Sequence, residues 1–287
     1  MLFRSVYSPA YDCFDAARLM LLGQVRQALE RGEFVLHYQP KIDLQSKRIS
    51  GVEALLRWNH SEHGLLPPMK FIPLIEQTAL VGPVTLHVIA EALRQLSCWR
   101  ELGLRLGMSV NLSARNLIDP ELPAQVEGLL QTHGIPADQL TVEVTESATL
   151  ADPERAVRVL SALRAIGVAV SIDDFGTGNA SIEYLARLPA TEIKIDKSFV
   201  TDICEDDRAE AIVRSTIDLA RHLELSVVAE GIETEAVVDR LAALGCDTGQ
   251  GYVISRPLPP DQLTVLLLDD LDLVSSSGGF VVARTGR

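Results

Sequence analysis

Between residues 140 and 254 the sequence alternates short apolar, β-branched segments with amphipathic ones, which limits the folds open to it more than any other feature. Leu140–Val144, Val168–Ile172, Glu192–Ile195, Ser226–Ala229 and Gly251–Ile254 read as strands. Pro153–Ile166, Ser181–Leu188, Arg208–Leu223 and Glu233–Leu244 read as the helices between them. Upstream, Arg18–Arg31 carries a helical stripe at Leu19, Leu22, Val25 and Leu29. Glu33–Gln39 and Ile49–Trp58 read as strands joined by the polar turn Ser46-Lys47-Arg48, a hairpin or near-hairpin. A loop at His60–Pro68, helices over Met69–Leu80 and Val84–Leu102, a strand over Arg105–Asn111 and a helix over Ala124–His133 complete the series. Strand–helix alternation implies a parallel sheet, and about eight units favour an α/β barrel of the (β/α)8 kind over an open sheet.

The ends differ from the body. Residues 1–17 have no clear period and contain Ser8-Pro9, which suggests a linker or the remnant of an upstream domain. The barrel is expected over 18–265, and a tail over 266–287 with Ser275-Ser-Ser-Gly-Gly279 is expected to fray, partly disordered. No run of about 20 uncharged apolar residues is present and no secretory signal precedes the body. Cys13, Cys98, Cys204 and Cys246 form no C-x-x-C, as expected of reduced thiols in a cytoplasmic protein. A formal charge of -13 with no basic run argues against a nucleic-acid polymer as partner.

The strand ends are polar and oxygen-rich. Glu53 lies in the second strand, Asn111 ends the third, and Glu143 lies in the fourth with Glu146 just beyond. Asp173-Asp174 ends the fifth, Lys194 and Asp196 mark the sixth, Glu230 ends the seventh, and Gln250 precedes the eighth. Alone, the Asp173-Asp174 pair is equally well explained as a cap on the following helix, and Asp196 as a structural residue. In a β/α barrel, however, all strand C-termini face one mouth, where the chemistry sits. So many carboxylates there require cations. Oxygen ligands without Cys or His suit Mg²⁺ or Mn²⁺ rather than Zn²⁺. Adjacent aspartates are able to bridge two such ions, the arrangement that hydrolyses phosphodiesters with metals about 3.5–4 Å apart.

At this point the sequence resembles a known family. Glu53-Ala-Leu-Leu-Arg57-Trp58 looks like the signature of the EAL domain family. His37-Tyr-Gln39-Pro40, Asn111-Leu-Ser113, Glu143-Val-Thr-Glu146-Ser147, Asp173-Asp-Phe-Gly-Thr-Gly178, Lys194-Ile-Asp196, Ala229-Glu-Gly-Ile-Glu233 and Gln250-Gly-Tyr252 follow in the family's order, over roughly residues 18 to 262. The resemblance implies a modified TIM-like barrel with one antiparallel early strand, in agreement with the hairpin. It also implies cleavage of cyclic di-GMP to linear pGpG with two Mg²⁺ or Mn²⁺ ions per active site.

By that resemblance, Glu53, Asn111, Glu143 and Asp173 would hold the first metal. Asp173 would bridge to the second, bound also by Asp174. Glu230 would act as ligand or general base, and Lys194 would position the attacking water. Gln39, Arg57, Asp196 and Gln250 would serve substrate binding and the metal–water network. Glu146 would anchor the loop from Phe175, which shapes the metal site and the family's dimer interface. A homodimer and an upstream GGDEF or sensor domain are implied as partners. The sequence departs from the family at Asn179-Ala180, where Tyr-Ser is usual; no ligand is lost, so activity is expected to survive, and loop order and dimer packing are what the departure puts in question. The alternatives are a catalytically silent cyclic di-GMP receptor, marked by binding without turnover, and a metal-independent two-carboxylate glycosidase.

Overall fold

The computed structural model describes residues 21–177 and 181–276, with side chains to residue 270. The stretch 1–17 and the Gly178-Asn179-Ala180 step lie outside the described residues.

The strands are β1 (Phe34–Asp43), β2 (Arg48–His60), β3 (Gly64–Leu66), β4 (Gly107–Leu112), β5 (Leu140–Thr145), β6 (Ala169–Phe175), β7 (Glu192–Ile195), β8 (Ser226–Ala229) and β9 (Thr248–Gln250). Their order is β1-β9-β8-β7-β6-β5-β4-β2-β3, and a further β1–β2 pairing closes eight of them into a barrel. The strand β1 runs antiparallel to both neighbours, whereas β2 and β4 through β9 are mutually parallel. The short β3 is an antiparallel flap on the end of β2, within the stretch expected to be loop.

The alternation within each strand divides it into two chemistries. Val52, Ala54, Met108, Val110, Val142, Val144, Val170, Ile172, Ile193 and Ile195 are buried and belong to the hydrophobic core with the helices. The intervening positions are Glu53, Ser109, Asn111, Glu143, Ser171, Asp173, Glu192 and Lys194. Several bond to one another from separate strands, so they line the barrel axis. Barrel interiors of this type are ordinarily filled by branched apolar side chains. Here the apolar core is the outer layer and the axis is polar.

The structure corrects several sequence expectations. The last strand is Thr248–Gln250, not Gly251–Ile254, so Gln250 ends it. The chain turns at Gly251, where a Cβ would meet the Ile232 carbonyl oxygen at 2.1 Å. The helix expected over Met69–Leu80 is a 3-10 turn, Pro68–Lys70, and a short helix, Ile72–Ile75, because Pro68 and Pro73 each open a new turn. The helix expected from Glu233 starts at Glu235, with Thr234 as its cap. A helix over Pro260–Ser276 occupies the first part of the expected tail. It packs on the barrel through Leu263, Leu266 and Leu267. Among the described residues, no helix is long and apolar enough to cross a membrane.

Candidate active site at the barrel mouth

Lys194 organises the mouth. Its side chain is buried, and its ammonium lies 2.7 Å from Glu143 Oε2, 2.5 Å from Glu230 Oε1, 3.2 Å from Asp173 Oδ1 and 3.9 Å from Glu53 Oε2. Glu53 accepts hydrogen bonds from Asn111 Nδ2 at 2.7 Å and from Gln250 Nε2 at 2.7 Å. Gln250 Nε2 also donates to Gln39 Oε1 at 3.1 Å, and Gln39 Nε2 donates to the Ser255 carbonyl. Six strands, the end of β8 and the antiparallel β1 thus deliver side chains to one network. Asp173, Asp174 and Glu230 each place an oxygen within 4.8 Å of the others, close enough to share an ion.

Asp173 and Asp174 reach the same mouth although consecutive strand residues ordinarily point to opposite faces. The chain achieves this by leaving the strand conformation. Asp174 has φ +53, and the β6–β7 register shifts between Ile172 and Phe175. Asp is among the few non-glycine residues that tolerate this left-handed conformation. The Asp174 amide donates to Asp173 Oδ1 at 3.0 Å, which ties the two residues together. On the next strand but one, Gly231 turns the chain with φ +72 directly after Glu230.

The other sequence-derived candidates fall around this centre. Arg57 is half-buried on β2, on the same face as Glu53, and donates to the Leu56 carbonyl at 2.9 Å. Asp196 caps the short helix Lys197–Val200 by accepting from the Ser198 amide, and it also lies beside Asp174. Glu146 is buried, and its Oε2 accepts from the Gly176 amide at 3.3 Å. A cleft of about 300 Å³ opens over the network, with Lys197, Glu233 and Tyr252 on its walls beside Gln39, Glu53, Asp173, Glu230 and Gln250.

The site is electrostatically uneven. Burial raises the Glu143 carboxyl, but Lys194 and Lys41 together outweigh it and hold Glu143 at about 2. Glu230 is pushed up to about 7, chiefly by burial and then by Asp173 and Glu53, against the pull of Lys194. Burial, followed by Asp173 and Asp196, raises Asp174. Burial also raises Glu53, with Glu143 adding to it. Burial disfavours the Lys194 ammonium, yet the carboxylates led by Glu143 and Glu53 keep its pKa well above that of an ordinary lysine.

Lys41 was missed by the sequence reading. It is buried in β1, with Nζ 2.6 Å from Glu143 Oε1 and 2.8 Å from Ser109 Oγ. The apolar pattern ends the first strand at Gln39, whereas β1 runs on to Asp43, and one further period of two places Lys41 on the same face.

The sequence model of the EAL domain matches residues 22–257. This chain belongs to the EAL domain family. The EAL domain is 44% identical over 247 residues to a bifunctional diguanylate cyclase/cyclic di-GMP phosphodiesterase, MucR, of Pseudomonas aeruginosa, covering 86% of this chain and 36% of that protein. It is 40% identical over 258 residues to a second Pseudomonas aeruginosa protein, the cyclic di-GMP phosphodiesterase PA2567, covering 90% of this chain and 44% of that one. The chain therefore spans less than half the length of these relatives. Among solved structures, the EAL domain superposes on a MucR phosphodiesterase in complex with c-di-GMP with a TM-score of 0.80 and 44% identity, over 85% of this chain and 99% of that one.

Proposed function

We propose that this EAL domain hydrolyses cyclic di-GMP to linear pGpG in a metal-dependent reaction. The observation that carries the proposal is the convergence of Glu53, Asn111, Glu143, Asp173, Asp174 and Glu230 around Lys194 at the barrel mouth. Relatives that are cyclic di-GMP phosphodiesterases support the choice of substrate.

The donor set fits divalent cations of the Mg²⁺ or Mn²⁺ class. Five carboxylates face two buried ammonium groups, leaving an excess of negative charge in a site that excludes much of its water. Every candidate ligand atom is oxygen, as hard cations require. Gln250 Oε1 is buried without a hydrogen-bond partner among the described residues, an acceptor suited to an ordered water. Two ions would be held by Glu53, Asn111, Glu143 and Asp173 on one side and by Asp173 and Asp174 on the other, with Glu230 at the centre. When bound, they supply Lewis acidity and an activated water.

The chain's own groups account for the remaining steps. Arg57 presents a guanidinium fork at the mouth, suited to a phosphate. Gln250 holds Glu53, and Gln39 braces Gln250 against the Ser255 carbonyl at the floor of the cleft. Lys194 keeps a fixed positive charge beside the position where negative charge grows at phosphorus. Glu230, whose carboxylate sits beside those of Asp173 and Asp174, is placed to accept the proton of the attacking water. The scissile P–O bond breaks as the water oxygen adds, the 3′ oxygen leaves and takes up a proton from solvent to become the hydroxyl, and the new phosphate remains on the 5′ end of the dinucleotide. Glu146 holds the Gly176 turn behind Asp173 and Asp174.

In this reading the domain works in the cytoplasm as part of a larger signalling protein, with a GGDEF or sensor domain upstream, and pairs as a homodimer. The greater length of its relatives supports the first point. Chromatography of cyclic di-GMP incubated with the purified chain tests the activity, with Mn²⁺ or Mg²⁺ in one arm and chelator in the other. Linear pGpG in the metal arm alone is expected. Binding without any product would make the domain a receptor instead.

A further inference from the structure

We propose that Lys41 is a positioning residue for the metal-dependent reaction: from inside the barrel it fixes the Glu143 carboxylate as a ligand. This inference rests on the proposed phosphodiesterase reading.

Because β1 is antiparallel to its neighbours, its side chains descend from the mouth as the sequence advances. Gln39 pairs with Glu53 at the level of the site, and Lys41 pairs with Gly51 one layer deeper. On β9, Lys41 is the register partner of Gln250. Lys41 thus approaches Glu143 from below, and Lys194 approaches it from the mouth.

The two lysines divide the carboxylate. Lys41 takes Oε1 at 2.6 Å and Lys194 takes Oε2 at 2.7 Å, and Glu143 itself is 0% exposed. Their other partners differ. Lys194 is shared with Glu53, Asp173 and Glu230. Lys41 forms its one ion pair among the described residues with Glu143, and its second hydrogen bond goes to Ser109 Oγ. Glu192, Glu53 and Lys194 are the other charged groups facing it. Lys194 is therefore answerable to the whole mouth, whereas Lys41 is dedicated to one ligand. A carboxylate with one oxygen fixed from below presents the other in a single orientation. Without Lys41, a fully buried oxygen would lose its partner, and Glu143 would have to turn to find another.

Groups that orient a metal ligand typically contribute 10- to 100-fold to metal affinity. Lys41→Met is therefore expected to weaken Mn²⁺ binding, measured by calorimetry without substrate, by roughly 10- to 100-fold. In the Glu143→Gln background the same substitution should have little further effect, because the residue acts through Glu143. Ser109→Ala provides a milder variant that keeps the charge balance and loosens Lys41; a loss of several-fold with an unchanged melting temperature is expected. If Lys41→Met does not fold, this variant decides the matter. Wild-type Mn²⁺ affinity in a folded Lys41→Met, or in Ser109→Ala where Lys41→Met does not fold, would overturn the proposal. Equal losses from Lys41→Met in the wild-type and Glu143→Gln backgrounds would overturn it too. A wild-type chain that binds no Mn²⁺ would overturn the reading of the site as well, so the two failures are distinguishable.

Discussion

Gly231 and Lys197 pass so close that a methyl group on Gly231 would lie 2.3 Å from Lys197 Cβ. The contact pins the turn immediately after Glu230 against the short helix that follows β7. With φ +72, Gly231 is also in a conformation that side chains disfavour. Gly231→Ala should therefore displace Glu230 and lower kcat/KM by roughly 10²-fold, the usual consequence of a misplacement near 1 Å. Steady-state turnover, with urea unfolding to confirm the fold, checks this. Turnover at the wild-type level would mean that the turn does not set the position of Glu230.

Asp174 offers a contrast between stability and activity. Asp tolerates its left-handed backbone at less than the about 1–2 kcal/mol that most side chains meet there, but glycine meets no such cost, and the Asp174 carboxylate is crowded by Asp173 and Asp196. Asp174→Gly is expected to leave the stability of the metal-free protein within about 1 kcal/mol of wild type, relief at the left-handed position being offset by a freer unfolded chain, while reducing hydrolysis to background. Chemical denaturation in chelator, paired with an activity assay in Mn²⁺, measures both. A destabilised variant would show that Asp174 supports the fold rather than only the site.

The β1–β2 turn carries a pH dependence of known sign. Asp43 Oδ1 accepts from the Ser46 amide and from Ser46 Oγ, both at 2.6 Å. These hydrogen bonds, the hydroxyl's first, hold its carboxyl below the ordinary value of 3.8. A group with a lowered folded pKa stabilises the protein above its unfolded pKa, and the contribution fades as pH falls through the folded value. Asp43→Ala should cost about 1 kcal/mol at neutral pH, and its difference from wild type should shrink below about pH 4. Urea unfolding across that range is the measurement; a constant difference would contradict the assignment.

Much of the site was legible because barrel geometry turns a one-dimensional pattern into a place. Once strands alternate with helices, an acid at each strand end has one destination, and Glu53, Glu143, Asp173 and Glu230 followed from that. Lys41 did not follow, because β1 runs the other way and its useful residue lies in the strand's second half, after Pro40. The φ of Asp174 was equally hidden: two adjacent aspartates state a composition, not the left-handed turn that aims both at the mouth. Element limits failed where proline and tight backbone contacts decided them, for a helix at Pro73 and for the last strand at Gly251. The polar barrel axis was implicit in the alternation of Ser109, Glu143, Ser171 and Lys194 with apolar neighbours. It became visible only when the strands were placed around one axis.

The most direct test is product formation by matched wild-type and Glu53→Ala proteins. Glu53 accepts from both Asn111 and Gln250 and lies 3.9 Å from Lys194, so its loss opens the proposed metal site without touching the outer core. Wild type should convert cyclic di-GMP to pGpG with Mn²⁺ and not with chelator, and Glu53→Ala, folded to the same melting behaviour, should form none. Equal product from the two proteins, or product from wild type in chelator, would contradict a hydrolysis built on the strand-end carboxylates.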